Sequence, residues 1–489
     1  ILGESDAMPE ALEELVELHE LEEYYRNDRR FIYLPDLYEA ETAAAGRLRM
    51  MLHDLCEDSD AALNRSIELL EDELGIEYDS LQKKALREAV RNHVFVLTGG
   101  PGTGKTTTLN ALIRLLEQQG DTVMLAAPTG RAAKRLTELT GKDAKTIHRL
   151  LEVDYTSDEM HPVFRKNEKN PLKCNTLIVD EMSMVDSVLF DSLLRALSFS
   201  CRLIMVGDSD QLPSVGAGNV LHDLLSSDIL PSVTLTTIFR QAAESMIVTS
   251  AHDIVNGEHP YLECKDNDFF FMPRGSEAEC AATVCQLCEK RLPKAYDLSP
   301  MWDIQVLCPG KRGEAGTWGL NIALQKALNP PAKGKKEHTQ NGRLFREGDK
   351  VMQVRNNYDM VWKKDDGEMG QGIFNGDIGI IERMDPALRM MAIRFDDRVA
   401  DYPYDSLGEL DHAYAITVHK SQGNEFEAVI IPLMDVSSRL CYRNLLYTAV
   451  TRAKKLLIIV GDARAVYTMV DNNRRTGRFT NLRYMLEEK

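Results

Sequence analysis

Residues 99–107 read Gly-Gly-Pro-Gly-Thr-Gly-Lys-Thr-Thr, directly behind the apolar run His93–Thr98. No other stretch of the chain restricts its fold as tightly. Gly99, Gly102 and Gly104 let the backbone wrap around an anion with no Cβ in the way. The loop N–H groups and the positive end of the following helix then face that anion. The complete G-x-x-x-x-G-K-T spacing behind a strand is the signature of a triphosphate-binding loop. Lys105 is placed to reach the β- and γ-phosphates of ATP, and the Thr106 hydroxyl to ligate Mg²⁺. Gly100, Pro101, Gly102, Thr103, Gly104 and Thr107 complete the cradle. Kinases, GTPases, transporters and helicases all carry such a loop, so the function has to be read elsewhere in the chain.

The pattern around the loop predicts an α/β fold. Strand-like runs at 93–98, 122–127, 175–180, 202–207 and 233–236 alternate with helical stretches, which implies a parallel sheet covered on both faces. Sites then line up at the carboxyl ends of the strands. A second alternation places strands at 303–308, 427–433 and 455–460, with helices at 315–328 and 440–452. Residues 345–410 differ: short β-like runs (350–354, 377–382, 390–395), many glycines and no long helix predict a small inserted β-barrel. Residues 329–342, rich in Lys, Pro and Gly, read as a mobile loop. Amphipathic spacing predicts a helix over 9–26, with further helices at about 36–56 and 60–74.

The formal charge of −18 argues at first against a nucleic-acid partner, but its distribution reverses that reading. Residues 1–80 hold 23 acidic and 6 basic side chains; the other 409 hold 53 and 52. The acidic part reads as a solvated helical surface, and the rest is free to carry a local basic track. The nine cysteines are scattered without a disulfide or zinc framework, and Cys285-x-x-Cys288 lies in a helical stretch at 276–291. This usage points to a reducing, cytoplasmic setting. No apolar run is long enough to span a membrane. The chain starts on Ile, which predicts a longer native protein.

Several segments carry chemistry. Leu177–Glu181 is an apolar strand ending in two carboxylates. Asp180 is expected to hold Mg²⁺, and Glu181 to orient or deprotonate the attacking water, because adjacent buried acids need a compensating cation. In Val206–Pro213, Gln211 is suited to contact the γ-phosphate or the attacking water. Arg240 and Arg452 are candidate arginine fingers, acting from one side on a site whose Lys105, Thr106, Asp180 and Glu181 lie on the other. Pro128, Thr129 and Arg131 stand at a helix N-terminus able to hold nucleic-acid phosphates, and the loop Thr417–Glu425 offers further donors.

Taken together these segments resemble superfamily one helicases of the RecD-like branch (superfamily 1B), specifically the long RecD type that acts without RecB and RecC. The blocks GGPGTGKTT, APTGRAAKR, TIHRLL, LIVDEMSMVD, VGDSDQLPSVGAGNVL, TTIFRQ, NGDIG, ITVHKSQGNEFEAVI and LLYTAVTRAKK occur in the family's order across about residues 78–480. The resemblance implies an ATP-driven 5′–3′ motor on single-stranded DNA and at single-strand/duplex junctions. It implies two RecA-like domains, at 78–260 and at 261–344 with 411–489, and an SH3-like barrel at 345–410. Residues 151–173 become the hairpin that splits the duplex. Residues 1–77 become the helical end of a larger N-terminal domain whose helix-hairpin-helix portion is missing. Gln82 falls where the family reads adenine, although it could equally be a solvent-facing helix residue. Gly423 and Glu425 fall near the nucleotide. Thr129, Thr146, His148, Asn375, Thr417, His419 and Ser421 fall in DNA-touching segments, with His148 equally able to pack between domains.

The expected activity is a monomeric DNA helicase with DNA-stimulated ATP hydrolysis, in repair or recombination. Two alternatives stay open: an RNA-directed helicase, and an ATP switch that clamps DNA without moving. No acid cluster with a lysine suggests strand cutting.

Overall fold

Long apolar strands flanked by helices fold into two separate parallel sheets. The computed structural model describes residues 8–52, 60–154, 163–264, 266–473 and 478–488. The first sheet has six strands in the spatial order Ser232–Leu235, Val94–Gly99, Arg202–Gly207, Thr176–Val179, Val123–Ala127, Ala144–Thr146. All its pairings are parallel. The strands Val94–Gly99, Thr176–Val179 and Arg202–Gly207 at its centre are buried at every position, on both faces. Val94 and Val96 enter one core, and Phe95 and Leu97 the other. Leu203 and Met205 likewise oppose Ile204 and Val206. This is the period of two expected of a strand buried on both sides.

The second sheet runs Phe269–Pro273, Ala453–Gly461, Phe426–Leu433, Ile304–Cys308, Ala415–Thr417, again all parallel. Its strands also alternate between two cores, with Val429 and Ile431 opposite Ala428 and Ile430. Cys280, Cys288 and Cys308 are buried in one of these cores as small apolar residues.

Between these strands lies a seven-stranded antiparallel barrel, ordered Met369–Ile373, Asn357–Lys364, Arg398–Pro403, Met390–Phe395, Ile378–Asp385, Lys350–Gln353, Leu410–His412. Its core holds Phe345, Ile381, Ile393, Phe395 and Tyr402. The fold class is therefore the expected one: two RecA-like sheets, a small barrel and a mainly helical N-terminal region.

Two local expectations need correction. The helix expected over 9–26 stops at Glu17, and Glu22–Arg26 pairs with Arg29–Tyr33 in a hairpin. Its turn is Asn27-Asp28, both at positive φ. The mobile loop expected at 329–342 contains the strand Glu337–Gln340, paired with Arg343–Arg346 around Asn341-Gly342 at φ 49° and 76°. Both turns are two-residue connections whose left-handed residues match the twist of the flanking strands. Helical spacing concealed the first, and composition the second. The base of the expected duplex-splitting hairpin forms where Val153–Asp154 pairs with Val163–Phe164; residues 155–162, including Pro162, lie outside the described residues.

The end of the chain returns to the first sheet. Leu482, Met485 and Leu486 share a core with Leu48 and Met51 of the helix Pro35–Met51 and with Leu177 and Val179. Glu41, buried on that helix, accepts from Tyr33 Oη (2.9 Å), Thr480 Oγ1 (2.6 Å) and Asn481 N (3.0 Å). Among the described residues, no helix is long and apolar enough to cross a membrane.

A candidate nucleotide cleft and nucleic-acid channel

The strand Val94–Gly99 delivers the glycine loop to the carboxyl edge of the first sheet, and the helix Lys105–Gln118 starts from Gly104. Gly102 and Gly104 sit at φ 73° and 83°. A Cβ on Gly102 would lie 2.6 Å from Ala242 Cβ, and one on Gly104 would lie 2.6 Å from Gln82 Nε2. Only glycine fits either place. Lys105 Nζ donates to the carbonyls of Gly99 and Gly100, the latter at 2.8 Å. Gln82 caps its own helix with Asp79, and its Nε2 donates to Thr108 Oγ1 (3.2 Å) and Gly104 O (3.4 Å). It is buried against the loop rather than facing solvent.

The loop opens into a cleft of about 860 Å³. Gln82, Gly100–Thr107, Glu181, Gln211, Arg240, Glu425 and Arg452 all line it. Asp180 follows the strand Thr176–Val179, and Oδ1 accepts the Glu181 N–H at 2.8 Å. Burial and the adjacent Glu181 carboxylate push Asp180 up to about 6. An acid in that situation is one a divalent cation compensates. Among the described residues no group of three or more His, Cys, Asp or Glu is placed to hold a metal. Glu181 itself adopts φ 55°, a left-handed conformation uncommon for a non-glycine residue, and so turns out of the strand axis.

The two arginines do not come from one side. Arg240 follows the strand Ser232–Leu235, which pairs with the glycine-loop strand, so it belongs to the same domain as Lys105. Of the two, Arg452 alone reaches the cleft from the second domain. It is 2% exposed, held by Thr448 O (3.2 Å), Asn424 O (3.2 Å) and Thr451 Oγ1 (3.1 Å). Glu425 also comes from the second domain and pairs with Arg135 of the first at 2.7 Å. Arg135 lines the cleft and was not singled out from the sequence. Its place on the helix Gly130–Thr140, in register behind Arg131, was the available signal. Gly423 is absent from the cleft lining; a Cβ there would lie 2.8 Å from Thr129 Oγ1, on the neighbouring channel.

That channel, of about 510 Å³, runs between the two domains and the barrel. Thr129, Arg131, Asn375, Thr417 and His419 line it, with Lys420 of the same donor loop and with Lys311 and Val215, which sequence reasoning passed over. Val215 is 87% exposed. Its loop is held by Arg478, which donates to the carbonyls of Ser214, Gly216 and Gly218. Burial, and after it the nearby Arg478, lower the His419 pKa. Pro128, Thr146, His148 and Ser421 are not part of this lining. Thr146 caps a short helix by accepting from Arg149 N (3.1 Å), and Ser421 is fully buried, donating to Val418 O (2.7 Å). His148 packs 6.0 Å from the Phe164 ring at the hairpin base. Hydroxyls and imidazoles at turn positions serve the backbone as readily as a ligand, and spacing alone does not separate the two.

Three family models match the chain. An AAA domain covers residues 82–217, the SH3 domain of ATP-dependent RecD-like DNA helicases covers 320–395, and a UvrD-like helicase C-terminal domain covers 412–460. The ATP-dependent RecD2 DNA helicase of Deinococcus radiodurans is 35% identical over 439 residues, 89% of this chain and 56% of that protein. The chain thus spans little more than half the length of that relative. The RecBCD enzyme subunit RecD of Mycobacterium tuberculosis is 31% identical over 442 residues, covering 83% of this chain and 73% of the subunit. A crystal structure of Pif1 helicase from Bacteroides aligns over 81% of this chain and 94% of its own, at 22% identity and a TM-score of 0.46. With its glycine loop, its barrel and a relative matched over most of both lengths, the chain belongs to the RecD-like helicase family.

Proposed function

We propose that this chain is an ATP-driven motor that moves 5′ to 3′ along single-stranded DNA and opens duplex ahead of it. One observation carries the reading: the cleft gathers Lys105, Glu181, Gln211 and Arg240 from the first domain and Arg452 from the second. Such a site is complete only when the two domains close on each other. Lys105 and the loop amides would hold the phosphates, Glu181 would take the proton of the attacking water, and the two arginines would stabilise charge on the transferring group. Thr106 and Asp180 are the residues to hold Mg²⁺, which when bound neutralises phosphate charge. Loss of the γ-phosphate would remove the anion both arginines face and let the cleft reopen.

The channel would convert that motion into movement along a strand. Thr129 and Arg131 belong to the first domain, and Thr417 and His419 to the second, so a change in cleft width changes their spacing. Contacts of this kind go mainly to phosphates, so binding should tolerate any sequence and weaken with salt. The barrel rests on the first domain through Lys134–Asp396 at 3.0 Å, which supports a role in closing over the strand. A monomer working in the cytoplasm, in repair or recombination, completes the reading. Buried free thiols at Cys280, Cys288 and Cys308 fit a reducing compartment.

Strand displacement on duplexes carrying a 5′ or a 3′ tail tests the proposal. Unwinding from the 5′ tail alone supports it. ATP hydrolysis without unwinding would favour a static clamp, and stronger stimulation by single-stranded RNA than by DNA would move the substrate class to RNA.

A further inference from the structure

The loop after the strand Arg202–Gly207 belongs to the first domain, yet its hydrogen bonds run into the second. Leu212 N donates to Thr448 Oγ1 at 2.9 Å, Asn444 Nδ2 to Asp210 O at 2.6 Å, and Gln422 Nε2 to Leu212 O at 2.9 Å. In the middle of this seam, Tyr447 Oη donates to Asp208 Oδ2 at 2.6 Å. Both are buried, Asp208 at 3% exposure and Tyr447 at 1%. The same Oδ2 accepts from Gln211 Nε2 at 3.2 Å, and Oδ1 accepts from Asp210 N at 3.1 Å. The glycine loop passes alongside: a Cβ on Gly100 would lie 3.4 Å from Tyr447 Oη.

The chemistry of these groups fixes an orientation. Tyr447 Oη and Asp210 N both donate to the Asp208 carboxylate, and the Gln211 amide turns its NH₂ toward the same group. Its carbonyl oxygen is then the end presented to the cleft, the end suited to accept from a water. Burial and the Asp208 carboxylate raise the Tyr447 pKa well above its ordinary value, so the phenol stays a donor. Tyr447 does not line the cleft. Its hydroxyl's hydrogen bond goes to Asp208, which lines the cleft beside Gln211.

We infer that Tyr447 is a positioning residue for hydrolysis: its hydroxyl holds the Asp208 carboxylate, which sets the Gln211 amide with its oxygen toward the attacking water. Docking of the second domain thereby orients a group on the first. Opening the cleft withdraws the hydroxyl and leaves the carboxylate, and the amide behind it, free to turn. The inference rests on the ATP-hydrolysis reading of the cleft.

Tyr447→Phe removes the hydroxyl and keeps the ring packing. Steady-state ATP hydrolysis with saturating single-stranded DNA is expected to show kcat reduced about tenfold, the scale of a misplaced catalytic group. KM for ATP should stay within about twofold, since Tyr447 is not among the residues lining the cleft. Gln211→Ala and the double variant Gln211→Ala/Tyr447→Phe should have the same kcat, because the hydroxyl acts through the amide. Additive losses in the double variant, a rise in KM at constant kcat, or an unchanged kcat in Tyr447→Phe would each overturn the inference. A wild-type chain without DNA-stimulated hydrolysis overturns the reading of the cleft and this inference with it. An active wild type with an unimpaired Tyr447→Phe overturns the inference alone.

Discussion

Replacing Arg452 by Lys separates charge from placement. A guanidinium has five N–H groups, and three are held by Thr448 O, Asn424 O and Thr451 Oγ1. One N–H on each terminal nitrogen is left over, a two-pronged fork in a cleft that also contains Lys105. Lysine keeps the charge but lacks both the fork and the three anchors. At an effective dielectric of about 20, a unit charge about 4 Å from the transferring phosphate gains about 4 kcal/mol, and one about 6 Å away about 2.8 kcal/mol. That difference is about tenfold in rate. Losing one charge-assisted hydrogen bond of about 1.5–3 kcal/mol removes a further ten- to hundredfold. Arg452→Lys is therefore expected to lower kcat for DNA-stimulated ATP hydrolysis by about 10²–10³, and Arg452→Ala by at least that much. Steady-state hydrolysis at saturating DNA measures both. A lysine variant within about threefold of wild type would refute the fork argument. An alanine variant that raises KM and spares kcat would make Arg452 a nucleotide anchor, not a transition-state group.

Three further outcomes follow from the same geometry. Lys105→Ala and Glu181→Gln should abolish ATP turnover with circular dichroism unchanged; DNA-stimulated hydrolysis retained in Glu181→Gln would remove its catalytic role. Asp349, fully buried under the barrel, accepts from Arg346 N, Gln325 Nε2, Asn329 Nδ2, Tyr414 Oη and His412 Nε2 at 2.7–3.3 Å. Asp349→Asn turns an amide donor onto those donors and leaves at least two unpaired, about 2–5 kcal/mol; hydrogen exchange across 350–410 should quicken about 100-fold, and unchanged exchange would contradict this. Lys350, 1% exposed and donating to Ile304 O at 3.0 Å, is pushed by burial down to about 7. Between pH 7 and 10 the unfolded chain therefore binds the extra proton and stability rises with pH. The gap in urea midpoint between wild type and Lys350→Met should be widest near pH 7 and close by pH 10; a constant gap would disprove the titration.

Features written within a few residues are legible in the sequence alone. Gly102 and Gly104 bend the loop and Lys105 follows, so the phosphate cradle lies in nine consecutive positions. Asp180 and Glu181 sit at a strand end because Leu177–Val179 is apolar and the next residues are not. The two hairpin turns are equally local, Asn27-Asp28 and Asn341-Gly342, but helical spacing and a Lys/Pro/Gly-rich composition outweigh them. Thr146 and Ser421 show what local sequence leaves open: a hydroxyl at a turn looks the same whether it caps a helix or awaits a ligand.

The sequence by itself determined the strands, the loop and the identity of the acids, because backbone conformation and side-chain chemistry there depend on near neighbours. It did not determine that Arg240 stands beside Lys105 while Arg452 faces it, since that depends on which sheet each strand joins. Nor did it place the end of the chain, whose Leu482 and Leu486 fill the core of the first domain rather than the second. Tyr447 and Asp208 stand 239 residues apart and meet only because the loop after the strand Arg202–Gly207 packs against the helix Arg443–Val450 of the second domain. Docking is decided by the summed burial and hydrogen bonding of whole faces, and no short stretch of sequence contains that sum.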